Sequence, residues 1–231
     1  GYATFLSSRD PHLPAISLGQ RIPYATPQTS LCGCDAFDVA GAVALARETN
    51  DNDSMGIPRD PTAVGATELR LRSGRYYFSN PAFVGDVRVQ VEGRVSIYVE
   101  GSVEAVGKST LALGEGAALD MYVAGSIRTV GSIATGRATD PSAFRLYVGG
   151  RDAIIAGVGE SELTGFIFAP EAEVELVGDT RVLGAITARR VTHVGDFHIY
   201  YVPPTPRPDA GERVTATPEV DVAGASPATL P

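Results

Sequence analysis

A phrase repeated at nearly fixed spacing constrains this chain more than any other feature. Val95–Gly107 reads VSIYVEGSVEAVG and Leu119–Gly131 reads LDMYVAGSIRTVG, so that Tyr98 returns as Tyr122. Phe144–Gly150, FRLYVGG, repeats the first half at almost the same interval, with Tyr147 in the tyrosine position. Self-similarity at a period of roughly 20–50 residues marks solenoids and arrays, where each unit buries its apolar side only against its neighbours.

Two sub-motifs recur. One is an aromatic, a small residue and a glycine: YVEG (Tyr98–Gly101), YVAG (Tyr122–Gly125), YVGG (Tyr147–Gly150), with FAP at Phe168–Pro170 as a variant. The other ends in Val-Gly: VEAVG (Val103–Gly107), IRTVG (Ile127–Gly131) and VELVG (Val174–Gly178), with degenerate copies at Phe83–Gly85 and Thr192–Gly195. GFIFA (Gly165–Ala169) and GAITA (Gly184–Ala188) form a further pair. Each copy runs through a few β-branched or aromatic residues and stops at glycine, the pattern of a short strand and a corner. Helical periodicity is absent from Thr67 to Val202, which excludes βαβ units. An antiparallel sandwich does not explain why like motifs return every coil. The expectation is an all-β fold: a right-handed β-solenoid (β-helix) of about six coils over 67–202.

The flanks read differently. Asp35–Glu48, DAFDVAGAVALARE, has the one clear helical pattern, with Asp35 as N-cap and Asp38 in the first turn. Phe37, Ala40, Val43, Ala44 and Arg47 share a stripe that is expected to lie over the first coil as a capping helix. The domain plan is therefore an extended arm over 1–30, the capping helix and a turn over 31–66, the solenoid, and a Pro-rich arm over 203–231. That last arm holds seven of the chain's 16 prolines, a composition that reads as disordered. Within it RVTATPEVDV can pack back on its own solenoid or add as a strand to a neighbouring copy. The polymer contacts expected in the second case are Arg213, Val214, Thr215, Val220 and Val222.

The net charge is −8, with 19 basic residues that nowhere cluster. No footprint for nucleic acid or an anionic membrane follows from that. No stretch is apolar for long enough to span a membrane. The chain opens at Gly1 without Met, as expected of a mature secreted chain. Cys32 and Cys34 are disulfide candidates, paired with each other in a strained small ring or between chains, with free thiols as the alternative.

No constellation points to a reaction, and no cofactor or metal is expected. His193 and His198 flank Asp196 around a corner, and with His12 they are expected on the surface or packed. Glu171, Glu173 and Glu175 alternate with Ala172, Val174 and Leu176, which places the carboxylates outward on a strand. Asn50–Ser54, NDNDS, resembles the start of a calcium loop, but Thr62 stands where the bidentate Glu belongs. A turn leaving the helix is the better reading.

The phrases CGCDAFDVAGAVA, LRSGRYYF, VEGRVSIYVEGSV, ALDMYVAGSI, GFIFAPEAEVELVG and GAITARRVTHVGDFHIYYV resemble a family of uncharacterised secreted proteins of myxobacteria and related deltaproteobacteria. GAITARRV is also similar to one coil phrase of bactofilins, which are polymer-forming solenoids. The resemblance implies a surface-associated solenoid with a structural or adhesive role and no assigned catalysis. Ser73 stands where many relatives carry Cys, so a disulfide from the CxC to that strand is not implied.

The expected function is thus an extracellular structural protein that is not an enzyme. Its partner is expected to be further copies of itself, joined into a filament or surface fibre through solenoid ends and exchanged arms. One rival is an adhesin that contacts other surface proteins or glycans through Tyr76, Tyr77, Tyr200 and Tyr201. The other is a β-helix carbohydrate-active enzyme, which needs paired outward carboxylates in a groove.

Overall fold

The computed structural model describes residues 38–150 and 153–204. Two short helices come first, α1 (Val39–Glu48) and α2 (Asn52–Met55). Eleven strands follow: β1 (Thr62–Val64), β2 (Thr67–Phe78), β3 (Ala82–Val99), β4 (Val103–Leu113), β5 (Ala118–Val123) and β6 (Ile127–Gly136). The remainder are β7 (Phe144–Val148), β8 (Ile154–Val158), β9 (Ser161–Val177), β10 (Thr180–Val194) and β11 (Phe197–Tyr201). Every pairing between them is parallel.

The registers stack like motif on like motif. Val103–Gly107 lies against Ile127–Gly131, and Leu119–Val123 against Phe144–Val148. The result is a β-solenoid of about seven turns, one more than the sequence suggests. Two Val-Gly corners escape notice in the sequence, Val64-Gly65 and Val158-Gly159. The first adds β1 to the solenoid, which therefore starts at Thr62 instead of Thr67.

Long strands such as β3 and β9 bend around corners, and the ladders fall on three faces. A first face runs from β1 through the starts of β3, β4 and β6, through β8, to the ends of β9 and β10. A second carries the starts of β2, β9 and β10, the ends of β4 and β6, and β11. A third carries the end of β2, the end of β3, β5, β7 and the middles of β9 and β10.

The corner between the first two faces is a column of glycines, and geometry requires them. Gly107 and Gly131 have φ of 110° and 119°, where a Cβ is disfavoured. Each also sits directly on the glycine of the coil before. At Gly195, for example, a Cβ would stand 2.6 Å from the carbonyl oxygen of Gly178.

Inward positions alternate with outward ones, as the pleat demands. Leu71, Val91, Leu119, Val123, Val148, Val174 and Val182 are almost fully buried in the lumen. Each such side chain contributes about 1.5–3 kcal/mol of transfer free energy. Ala172, Val174 and Leu176 point inward as expected, with Glu171 and Glu175 exposed.

Helix α1 departs from expectation in start, phase and place. Asp38, not Asp35, is the N-cap, accepting from Gly41 N at 2.8 Å, and Asp35 and Phe37 lie outside the described residues. The buried stripe is Val39, Val43 and Ala46, while Ala40 and Ala44 are exposed. That stripe lies over the first coil only at Tyr77 and runs on across the side of the next three coils. It packs on the third face against Tyr77, Tyr98, Tyr122 and Tyr147, one tyrosine from each of four successive coils. The helix spans about 15 Å, close to three rises of about 4.8 Å, so it is as long as the tyrosine column it covers.

Candidate functional site: outer ladders, ends and groove

The tyrosine column is the outward side of the YVEG phrase. Tyr98 and Tyr122 stack at 4.8 Å between centroids with 12° between planes, and Tyr122 and Tyr147 at 5.0 Å with 9°. The stacking distance is the coil rise itself, so each identical ring lies flat on the next. At the top, Arg47 of α1 donates to the Tyr77 hydroxyl at 3.2 Å and pairs with Glu100, which also accepts from Tyr77.

The first face carries a second outward column. Val64, Val84, Val106, Val130, Val158, Val177 and Val194 occupy successive coils in direct register. All are exposed, from 43% at Val177 to 82% at Val64. Six rises make a valine stripe of about 29 Å. Charged residues two positions to either side form its rim: Asp86, Glu104, Glu160, Glu175, Asp179 and Asp196, with Lys108 and Arg128. These valines belong to the Val-Gly motif, but the corner glycine turns the chain just after them and leaves the valine outside. Nothing among the described residues lies over them. An apolar patch with a polar rim is the form of an association surface.

The two ends of the solenoid differ. At the first coil, the third-face edge of β2 is closed by the NDND turn. Asp51 N donates to Arg75 O at 2.8 Å and Asp51 Oδ2 accepts from Arg75 N at 2.8 Å. Asn52, fully buried, accepts from Tyr77 N at 2.8 Å and donates to Tyr77 O at 2.9 Å. Two residues of the turn thus stand in for a neighbouring strand, a device that blunts a sheet edge. At the other end, β11 pairs with β10 alone among the described residues.

The expected site residues divide accordingly. Tyr76 is fully buried, and its hydroxyl donates to Arg72 O at 2.8 Å; Tyr77 is buried beneath α1. Burial raises the Tyr76 pKa above its usual value. Neither ring can meet a glycan, which corrects that expectation: β2 turns Tyr76 into the lumen and the helix covers Tyr77. Tyr200 and Tyr201 are exposed on β11. Cys32 and Cys34, and Arg213, Val214, Thr215, Val220 and Val222, lie outside the described residues, as does His12. His193 stacks on Phe197 at 4.8 Å, with Nε2 3.1 Å from Gly178 O. Glu173 pairs with Arg189 at 3.1 Å.

A polar groove of about 230 Å³ runs along the corner from Lys108 to Arg181, with Glu160, Glu162 and Asp179 in its wall. Arg181 lies 3.5 Å from Glu162 across the coil step. Among the described residues no cluster of His, Cys, Asp and Glu is fit to hold a metal, and no helix is long and apolar enough to cross a membrane.

A family model described as a domain of unknown function, DUF7305, matches residues 32–205. No curated protein and no solved structure matches the chain.

Proposed function

We propose that this chain, which belongs to the DUF7305 family, is a structural subunit that associates with copies of itself. The observation that carries the proposal is the exposed valine column. Seven identical side chains at one pitch are self-complementary: the same column on a second copy has the same spacing, so the two interdigitate as rows of a dry zipper. A contact of one patch with itself closes as a pair. Growth into a fibre needs a second joint, and the uncovered edge of β11 supplies one, with the next copy's first coil or an exchanged arm adding as a strand. Among the described residues the cap on β2 covers only the third face, and the first two faces of the first coil are open to that strand. The proposal keeps the extracellular or surface location implied by the resemblance to secreted solenoids, and it assigns no reaction.

The test is negative-stain electron microscopy of the full chain at rising concentration, beside a truncation ending at Tyr201. Paired or filamentous particles are expected. Single particles of monomer size at every concentration would overturn the proposal. A truncation that still pairs but no longer elongates assigns the fibre joint to the C-terminal arm.

A glycan-binding reading keeps one specific support, the adjacent exposed Tyr200 and Tyr201 at the last coil. It requires glycan-array binding that is lost on Tyr200→Ala with Tyr201→Ala.

A further inference from the structure

The lumen is not filled. A continuous cavity of about 200 Å³ runs inside the solenoid from Leu69 in the first coil to Ile167 in the fifth, with Leu176 of the sixth at its far end. Its surface is almost wholly apolar. Leu69, Val89, Leu111 and Leu163 all point inward, yet they are only half-buried, because the space beside them is open. A close-packed core leaves few voids larger than a water molecule, and an apolar void of this size stays dry or takes up an apolar guest.

We propose that the lumen binds one unbranched hydrocarbon chain. Four coil rises give a bore of about 19 Å. A membrane acyl chain extends about 15 Å, half of a hydrocarbon core of roughly 30 Å. Spread over that length, 200 Å³ makes the bore one chain wide, which excludes fused rings. With almost no polar surface, the wall has nothing to hold a headgroup, so the polar end stays at the mouth. The cavity is lined in the first coil by Leu69, Leu71 and Phe78 and by no residue of the last coil, so the proposal places the mouth at the first coil. The guest gains about 0.8 kcal/mol for each CH₂ it buries. This inference is independent of self-association.

The test is fluorescence titration of the full chain with cis-parinaric acid, followed by competition with palmitate. Saturable uptake of one probe per chain, reversed by palmitate, is expected. The double variant Ala105→Leu with Thr135→Leu fills the bore from two facing walls and removes the buried, unpartnered Thr135 hydroxyl. It is expected to weaken uptake at least tenfold while melting no lower than the parent. Should the double variant fail to fold, Thr135→Leu alone serves the same comparison. Val130→Lys, on the outer column, is expected to leave uptake unchanged. No saturable uptake, equal uptake by the filled variant, or loss of uptake with Val130→Lys overturns the proposal. Palmitate added as free acid and phosphatidylcholine vesicles form two arms: competition by the first alone assigns a free acyl chain, and competition by the second assigns a lipid tail.

Discussion

The tyrosine column and the valine column are built by the same rule and end differently. Each places one identical residue outward on successive coils, at the rise of the solenoid: tyrosine on four coils and valine on seven. The tyrosines are covered by α1, whose Val39, Val43 and Ala46 seat on them. Among the described residues nothing covers the valines. The covered column shows what an outward apolar ladder requires in this fold, a partner as long as itself with a matching apolar stripe. For the valines we propose that this partner is another copy of the column.

The largest effect on this comparison should come from the shared scaffold. Gly131→Ala puts a Cβ on a residue with φ of 119°, against the backbone of Gly107. A loss of about 3–5 kcal/mol in urea unfolding is expected, because backbone on both sides must shift. If the variant keeps parent stability, the stacked-corner account is wrong.

Next comes the covered column itself. Val43→Asp buries an unpaired carboxylate between α1 and the tyrosines and should cost about 3 kcal/mol. It should also expose tyrosine to solvent, read by near-ultraviolet circular dichroism. The same substitution on the bare column, Val130→Asp, should change monomer stability by no more than about 0.5 kcal/mol. Equal costs at the two sites would erase the distinction between them.

Asn52→Ala leaves the backbone N–H and C=O of Tyr77 without partners and should cost about 2–3 kcal/mol. It also unblocks the β2 edge, so light scattering should show faster association than the parent. Slower association would mean that the cap promotes assembly.

The smallest effect concerns acid. The Ser142 hydroxyl, with Arg137 beside it, holds the Asp140 carboxyl below the usual carboxylate range. A lowered folded-state pKa contributes stability above the ordinary value, and that contribution is lost as pH falls through the folded one. Asp140→Asn should therefore lower stability slightly at neutral pH and flatten the acid limb of the stability curve below about pH 4. A parallel acid limb in the variant removes Asp140 from the account.

The repeat made the solenoid legible, because strand, corner and period are all local properties of the sequence. The number of coils was less so. The corner glycines are unevenly spaced, closest between Gly178 and Gly195 and farthest between Gly131 and Gly159. The copies at Gly65 and Gly159 also lack the full phrase. The helix was legible as a helix but not in its seat. Its buried stripe is one residue out of phase with the expected one, and only the structure shows that its docking partner is a column of tyrosines. The valine column was present in the Val-Gly motif yet invisible as a surface. A valine before a corner reads as core, and only the positive φ of the glycine that follows shows which side it faces. Asp51 and Asn52 likewise read as a turn; their service as a substitute strand depends on Arg75 and Tyr77, which lie far along the chain.

The most direct test is sedimentation velocity of the full chain across a wide concentration range, beside the double variant Val106→Lys with Val130→Lys. The parent's sedimentation coefficient is expected to rise with concentration, while the variant stays at the monomer value with unchanged thermal stability. A parent that stays monomeric throughout, or a variant that associates equally well, would refute pairing through the valine column.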